Sequence, residues 1–284
     1  MIVKNRITGK TWDENANESP VFSFLYRSLF GRFLLSTIVA RPWFSRSIGR
    51  LYDTHFSTRF IDSFVDNNNI DMRLYEGREF SSFNDFFARQ RDNSTTCSPD
   101  ELVAVADSRL SAYPISDDLE VVIKGSPYTL EELTANCPFL DNVRGGTCLV
   151  FRLAVDDYHR YVYADDGKLQ AHARIPGQLR TVRPIAGNEG VYRKNYREVS
   201  VLNTRHFGTI LHIDVGATLV AKIVDEHKNT FSRLEEKGHF EYGGSTVILL
   251  VGSNICIDED LLENTQENIE TKVIIGERIG ILNR

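Results

Sequence analysis

The sequence predicts an α+β protein, with N-terminal amphipathic helices followed by a mostly antiparallel β core. Apolar residues recur at helical spacing in the first part of the chain: Val21, Phe22, Leu25, Leu29 and Phe33, then Leu34, Ile38 and Val39. From about residue 100 the chain breaks into short apolar runs separated by Gly, Pro, Asp and Asn. No G-x-G-x-x-G follows a strand and no G-x-x-x-x-G-K occurs, so nucleotide-binding folds are not supported. With 284 residues the chain can bury a large core in one or two domains. No internal repeat is visible.

Residues 1–19 are polar and read as an arm or short hairpin, with turn chemistry at Asn5 to Gly9. Pro20 fits a first helical position after Ser19 as cap. Pro42 ends that helix, and a second amphipathic stretch runs from Phe44 to about Val65. In Phe80-Ser-Ser-Phe-Asn-Asp-Phe-Phe-Ala-Arg89, Phe83, Phe86 and Phe87 share one face of a core helix. Expected strands are Val103–Val105, Leu119–Lys124, Cys148–Leu153, Tyr161–Tyr163, Gly208–Val215, Thr218–Val224 and Thr246–Val251. Tyr128–Cys137 is the one helical stretch among them, capped by Thr129 with Glu132 as its third-position partner.

A composition 42% hydrophobic and 25% charged is ordinary for a soluble globular protein, and a net charge of −6 gives no sign of nucleic-acid binding. The charge is uneven. Between Pro20 and Phe60 stand six arginines (Arg27, Arg32, Arg41, Arg46, Arg50 and Arg59) and one acid, Asp53. Aromatic residues are interleaved with them, from Phe22 to Phe60. A basic, aromatic, amphipathic segment on an acidic protein reads as a membrane-surface element, or as a helical pair packed on the core with its arginines in water. The longest uncharged apolar run here, Phe33 to Ala40, is too short to span a bilayer. The expected division is therefore a helical, membrane-associating region 1–95 and a β-rich region 96–284. Cys97, Cys137, Cys148 and Cys256 show no C-x-x-C pair and no zinc spacing. They read as buried free thiols in a reducing compartment, and no metal site is expected. The N-terminus has no signal-peptide apolar core.

Three polar motifs lie at strand ends: Ala106-Asp107-Ser108-Arg109, Asp156-Asp157-Tyr158-His159-Arg160 and Gly243-Gly244-Ser245-Thr246. Each has a plain reading: Asp107 a turn former, His159 a satisfied loop histidine, Gly-Gly-Ser a turn. Together they have the composition of a nucleophile relay. Ser245 Oγ can reach the Gly244 carbonyl, and a glycine there leaves the attack unobstructed, which suits an N→O acyl shift.

Over nearly its whole length the chain resembles the phosphatidylserine decarboxylase family. The resemblance rests on Phe80 to Arg89, Ala106-Asp107, Asp157-Tyr-His-Arg160, Pro176-Gly177, Val199 to Arg205, Val215-Gly-Ala217, Glu236-Lys-Gly-His-Phe240 and Gly244-Ser-Thr-Val247. It implies a proenzyme that cleaves itself between Gly244 and Ser245 and converts Ser245 to a pyruvoyl group. The products would be a β chain, 1–244, and a short α chain from 245. The pyruvoyl group would serve as electron sink for the decarboxylation of phosphatidylserine to phosphatidylethanolamine. The resemblance assigns Ser245 as nucleophile, Asp107 as the group orienting the processing base, and His159 to the substrate carboxylate or the product carbanion. It also implies a peripheral position on the cytoplasmic face of the cell membrane, and a homodimer.

Val162 departs from the family, since a second histidine commonly stands there as the processing base. That role falls to His159 or to another group such as His206, His212 or His239. Ser108 replaces a usual glycine, and Gly243 stands where leucine is common. Two other readings remain: a non-cleaving member acting as a lipid-binding scaffold, and a pyruvoyl decarboxylase of a free amino acid.

Overall fold

The computed structural model describes residues 1–14, 24–25, 27–92, 95–182, 190–217, 223–243 and 245–283, without the side chains of residues 36, 42 and 46. The expected cap at Ser19-Pro20 and Gly244, expected to precede a cleavage, lie outside the described residues, as does most of the expected strand Thr218–Val224; a strand is observed at Ile223–Asp225.

The N-terminal hairpin consists of β1 (Ile2–Asn5) and β2 (Thr11–Asp13). Helices α1 (Leu29–Leu34, continuing as a π-turn to Val39), α2 (Pro42–Tyr52) and α3 (Ile61–Asn68) follow, then the short α4 (Phe83–Phe87). Ser28 caps α1 by accepting from Gly31 N–H. Gly31 is required there, because a Cβ would lie 2.1 Å from the Phe24 carbonyl oxygen. The second amphipathic stretch is broken between α2 and α3 by a 3₁₀ turn, His55–Phe60.

The β region opens with β3 (Glu101–Val103), β4 (Ser108–Pro114), β5 (Glu120–Ile123) and β6 (Ser126–Thr129). Helix α5 (Leu130–Thr134) is shorter than expected, because β6 claims Tyr128, but Thr129 does cap it, accepting from Glu132 N–H. Next come β7 (Thr147–Leu153), β8 (Arg160–Val162), β9 (Gly167–Ile175), α6 (Val191–Lys194), β10 (Arg197–Thr204) and β11 (Gly208–Val215). The chain ends with β12 (Ile223–Asp225), β13 (Thr230–Phe231), β14 (Glu236–Phe240), β15 (Ser245–Val251), β16 (Ile255–Ile257), α7 (Glu259–Gln266), β17 (Ile269–Val273) and β18 (Arg278–Leu282).

Ten of the described strands form one sheet in the order β13-β9-β10-β11-β15-β7-β4-β17-β1-β2; the others form the smaller sheets β12-β14-β8, β16-β18-β3 and β5-β6. Every pairing in the large sheet is antiparallel except β1 with β17. Residues 1–5 thus join the β core across the whole length of the chain. Strand β15 lies between β11 and β7 and is buried at all seven positions. An uninterrupted apolar run, Val247–Val251, suits a strand covered on both faces.

A row of cations crosses three neighbouring strands, Arg152 opposite Arg109 and Arg109 opposite Lys272. Like charges so placed repel. Four acids offset them: Arg109 pairs with Asp157, Asp156 and Glu14, and Arg152 with Glu270 and Glu14. The buried Glu270 carboxyl is held at about 2, where Arg152 and Lys124 outweigh the effect of burial. Arg109→Met leaves the buried Asp157 with Lys272 alone, 3.8 Å away. We expect a loss of about 3–5 kcal/mol in urea unfolding; a change below about 1 kcal/mol would show that Asp157 does not depend on the pair.

Candidate active site

Ser245 opens β15 opposite Leu153, the last residue of β7. After Leu153 the chain reverses in a tight turn, in which Asp157 N–H donates to the Ala154 carbonyl (2.9 Å) and Asp157 Oδ2 accepts from Ala154 N–H (2.9 Å). The reversal returns His159 to the mouth of β15. His159 Nδ1 lies 3.5 Å from Ser245 Oγ, and both residues are fully buried.

The tautomer follows from the other ring nitrogen. His159 Nε2 lies 3.0 Å from the Ala154 carbonyl oxygen, which can only accept, so Nε2 carries the proton. Burial pushes the imidazole down to about 3, and the Arg89 guanidinium adds to the effect, so the ring is neutral at physiological pH. Nδ1 therefore presents a lone pair to the serine hydroxyl. Phe87 packs on the ring at 4.0 Å between centroids, tilted by 31°.

Asp107 is held elsewhere. Its carboxylate takes a bidentate pair from Arg91 (2.7 and 2.6 Å) and accepts from Ile275 N–H (2.9 Å). No hydrogen bond joins Asp107 to His159 or Ser245 among the described residues. The imidazole is oriented by the Ala154 carbonyl and Phe87, and Asp157 braces the turn that carries that carbonyl. Burial raises Asp157 to about 6 despite Arg109. Val162 is packed in the core, its N–H donating to Val105. His206 bonds Asp165 (2.8 Å), His212 bonds Asp214 (2.9 Å), and His239 lies 3.7 Å from Glu236. None of these three is bonded to Ser245 among the described residues.

The segment before Ser245 is gripped by the helices. Tyr242 packs edge-on against Tyr52 (4.8 Å), Phe83 (5.2 Å) and Phe87 (5.2 Å). Its backbone N–H donates to Asn84 Oδ1 (3.3 Å), and Asn84 in turn donates to Asp53 (2.8 Å) and Gly49 O (3.3 Å) on α2 and at its end. Phe83, Phe86 and Phe87 do face inward as one face of a core helix. Sequence reasoning missed that the same helix holds the segment before Ser245; its signal was Asn84, a polar residue among inward-facing phenylalanines. Gly243 has φ +140°, a conformation open to glycine and strained for any other residue, so the leucine common at this position would not take it.

A cavity of about 240 Å³ lies beside the histidine turn, lined in part by Arg89, Arg91, Asp107, Asp157, Tyr158 and Lys272. The Nε of the buried Arg89 has no hydrogen-bond partner there among the described residues.

Comparison with known proteins places the chain among the decarboxylases. The family model for phosphatidylserine decarboxylase matches residues 83–281. Phosphatidylserine decarboxylase proenzyme 2 of Clostridium acetobutylicum is 40% identical over 284 residues, covering 98% of each chain. The phosphatidylserine decarboxylase proenzyme of Clostridium novyi is 37% identical over 268 residues (90% of this chain, 91% of the relative), and that of Clostridium perfringens is 40% identical over 266 residues (90% of each). The chain belongs to the phosphatidylserine decarboxylase family.

Proposed function

We propose that this chain is a self-processing proenzyme that matures to a pyruvoyl-dependent phosphatidylserine decarboxylase. The observation that carries this is the buried serine hydroxyl facing the unprotonated Nδ1 of His159. His159 takes the hydroxyl proton as Ser245 Oγ attacks the Gly244 carbonyl carbon. The Gly244–Ser245 C–N bond breaks, the nitrogen gains a proton, and an ester forms. Removal of the Ser245 Cα proton expels the Gly244 carboxylate and leaves dehydroalanine. Water then releases ammonia, so one water is consumed and a pyruvoyl group ends residues 245–284. The residues present fit that group: the serine is in place at a strand end, a neutral imidazole faces it, and Gly243 holds the turn before it. The pyruvoyl group supplies the electron sink that decarboxylation requires.

Arg89, Arg91 and Lys272 suit the cavity beside His159 to the anionic head group of phosphatidylserine. His159 Nδ1 faces residue 245 and, once it has accepted a proton, delivers it to the product carbon. Asp107 acts by fixing Arg91, which is a positioning role.

The N-terminal helices serve as a peripheral membrane contact, on the cytoplasmic face in this reading. Leu29 (87% exposed), Phe30 (67%), Phe33 (64%) and Trp43 (56%) turn apolar surface outward, and Arg27, Arg32, Arg41, Arg50 and Arg59 are exposed among them. No helix among the described residues is long and apolar enough to cross a membrane. Each arginine is expected to favour anionic lipid by ~1 kcal/mol.

The test is carbon dioxide release from phosphatidylserine vesicles, compared with free serine and tryptophan. Release from the vesicles alone is expected. Replacing Arg27, Arg32 and Arg41 by Glu should weaken vesicle sedimentation, and added salt should weaken it further in the wild type. Release only from the free amino acids would overturn the lipid reading, and binding indifferent to both changes would overturn the membrane contact.

A further inference from the structure

We propose a divalent metal site at the edge of the large sheet, formed by His172, Glu198, Asp225 and His227 and suited to an ion of the zinc class. One ligand atom from each lies within 4.8 Å of the others. His172 on β9 and Glu198 on β10 are diagonal neighbours on paired strands. Asp225 ends β12, and His227 follows two residues later with its N–H bonded to Asp225 Oδ1 (2.8 Å).

The spacing suits one ion. His172 Nε2 lies 3.3 Å from Glu198 Oε2, and His227 Nδ1 lies 3.4 Å from Asp225 Oδ1. Ligands held about 2.0–2.2 Å from a tetrahedral zinc stand about 3.3–3.6 Å apart.

A second observation points inward. His172 Nε2, Glu198 Oε2 and His227 Nδ1 are buried and have no hydrogen-bond partner among the described residues. Glu198 is only 2% exposed. Buried polar atoms are normally satisfied, so three facing one another are a set awaiting a common partner. The neighbouring groups leave those atoms free. Arg174 Nε lies 3.4 Å from the other oxygen of Glu198, Oε1, which also accepts from Tyr196. Lys237 holds the other oxygen of Asp225, Oδ2. His172 Nδ1 lies 3.2 Å from Ser200 Oγ, which turns Nε2 toward the centre as a metal-bound imidazole requires.

Two imidazoles with two carboxylates favour a zinc-class ion over magnesium or calcium, which take oxygen ligands. The ion would tie the sheet edge β9–β10 to the small sheet β12-β14-β8, whose middle strand leads toward Ser245. The sequence expectation of no metal site rested on cysteine spacing. These ligands come from β9, β10 and the end of β12 with the residues after it, so most of the set is brought together only by the fold.

The test uses the full-length chain, dialysed against a chelator and then freed of it. Titration with ZnCl2 should show one ion per chain and raise the melting temperature, while MgCl2 at the same concentration should do neither. CoCl2 should give the visible absorption of a four-coordinate site. His172→Ala and His227→Gln should each weaken zinc binding at least about tenfold. The His227 side chain is 30% exposed, so His227→Gln should keep the fold, as circular dichroism would check. Failure of the wild type to bind zinc at one per chain, or undiminished binding by His227→Gln, would overturn the site.

Discussion

Ser245→Ala is expected to leave one uncut chain of residues 1–284, while the wild type runs as two fragments divided between Gly244 and Ser245. The hydroxyl is the sole atom lost, and without it no acyl shift can begin. The substitution removes the partner of His159 Nδ1, which costs about 1 kcal/mol and leaves the fold intact. Carbon dioxide release should fall at least about 10³-fold, because the electron sink is never formed. Ser245→Cys keeps a nucleophile and should cleave slowly through a thioester. Intact-mass measurement reads all three chains together. A wild type of unchanged mass, or a cleaved Ser245→Ala chain, would end the self-processing reading.

His159→Gln should slow cleavage by about 10²–10⁴-fold, the usual worth of a positioned general base. The pH profile separates a base from a merely structural residue. An ordinary histidine titrates near 6.5, whereas burial holds His159 down to about 3. Its base form therefore persists, and wild-type cleavage should show no inflection near 6.5 between pH 5 and 8. A tenfold loss per pH unit below 6.5 would assign the base to a solvated histidine instead. Stability carries a matching signature. From about pH 6.5 down to about 3 the unfolded chain binds a proton that the folded chain refuses at His159, so stability falls as pH falls through that window. Asp157, raised from 3.8 to about 6, acts in the opposite direction over part of it. Comparing wild type with His159→Gln, both carrying Ser245→Ala, isolates the histidine's slope of at most about 1.4 kcal/mol per pH unit.

The α+β class and much of the local structure are legible in the sequence because each has a local cause. Asn5–Gly9 does turn between β1 and β2, Thr129 does cap its helix, and Gly208–Val215 is a strand with the expected bounds. Strand order is not legible, because pairing β1 with β17 joins residues 267 positions apart, such as Ile2 and Ile269, with no local signal. Strand β9, second from the sheet edge, was missed because its Lys, Gln, His and Arg hide it beneath polar composition. Helix α7 was missed because its inward face is narrow, with Leu261 and Asn264 its buried residues. At the site, Ser245 and His159 stand out as reactive types at strand ends. The Ala154 carbonyl, which selects the tautomer, is a backbone group that no residue pattern encodes. Asp107 sits near an arginine rather than a histidine because Arg91, 16 residues earlier, folds back onto it.

The place of β15 between β11 and β7 bears on the life of the cleaved protein. The proposed break just before Ser245 would free a segment that supplies β15 and β17, the latter β1's parallel partner, to a continuous sheet. In the proposed cleaved form the two pieces would stay threaded through each other without a covalent link. Melting would then be a dissociation as well as an unfolding, and recovery would require two molecules to meet. The proposed cleavage would thereby make recovery of the native state depend on protein concentration, which it does not for a single chain.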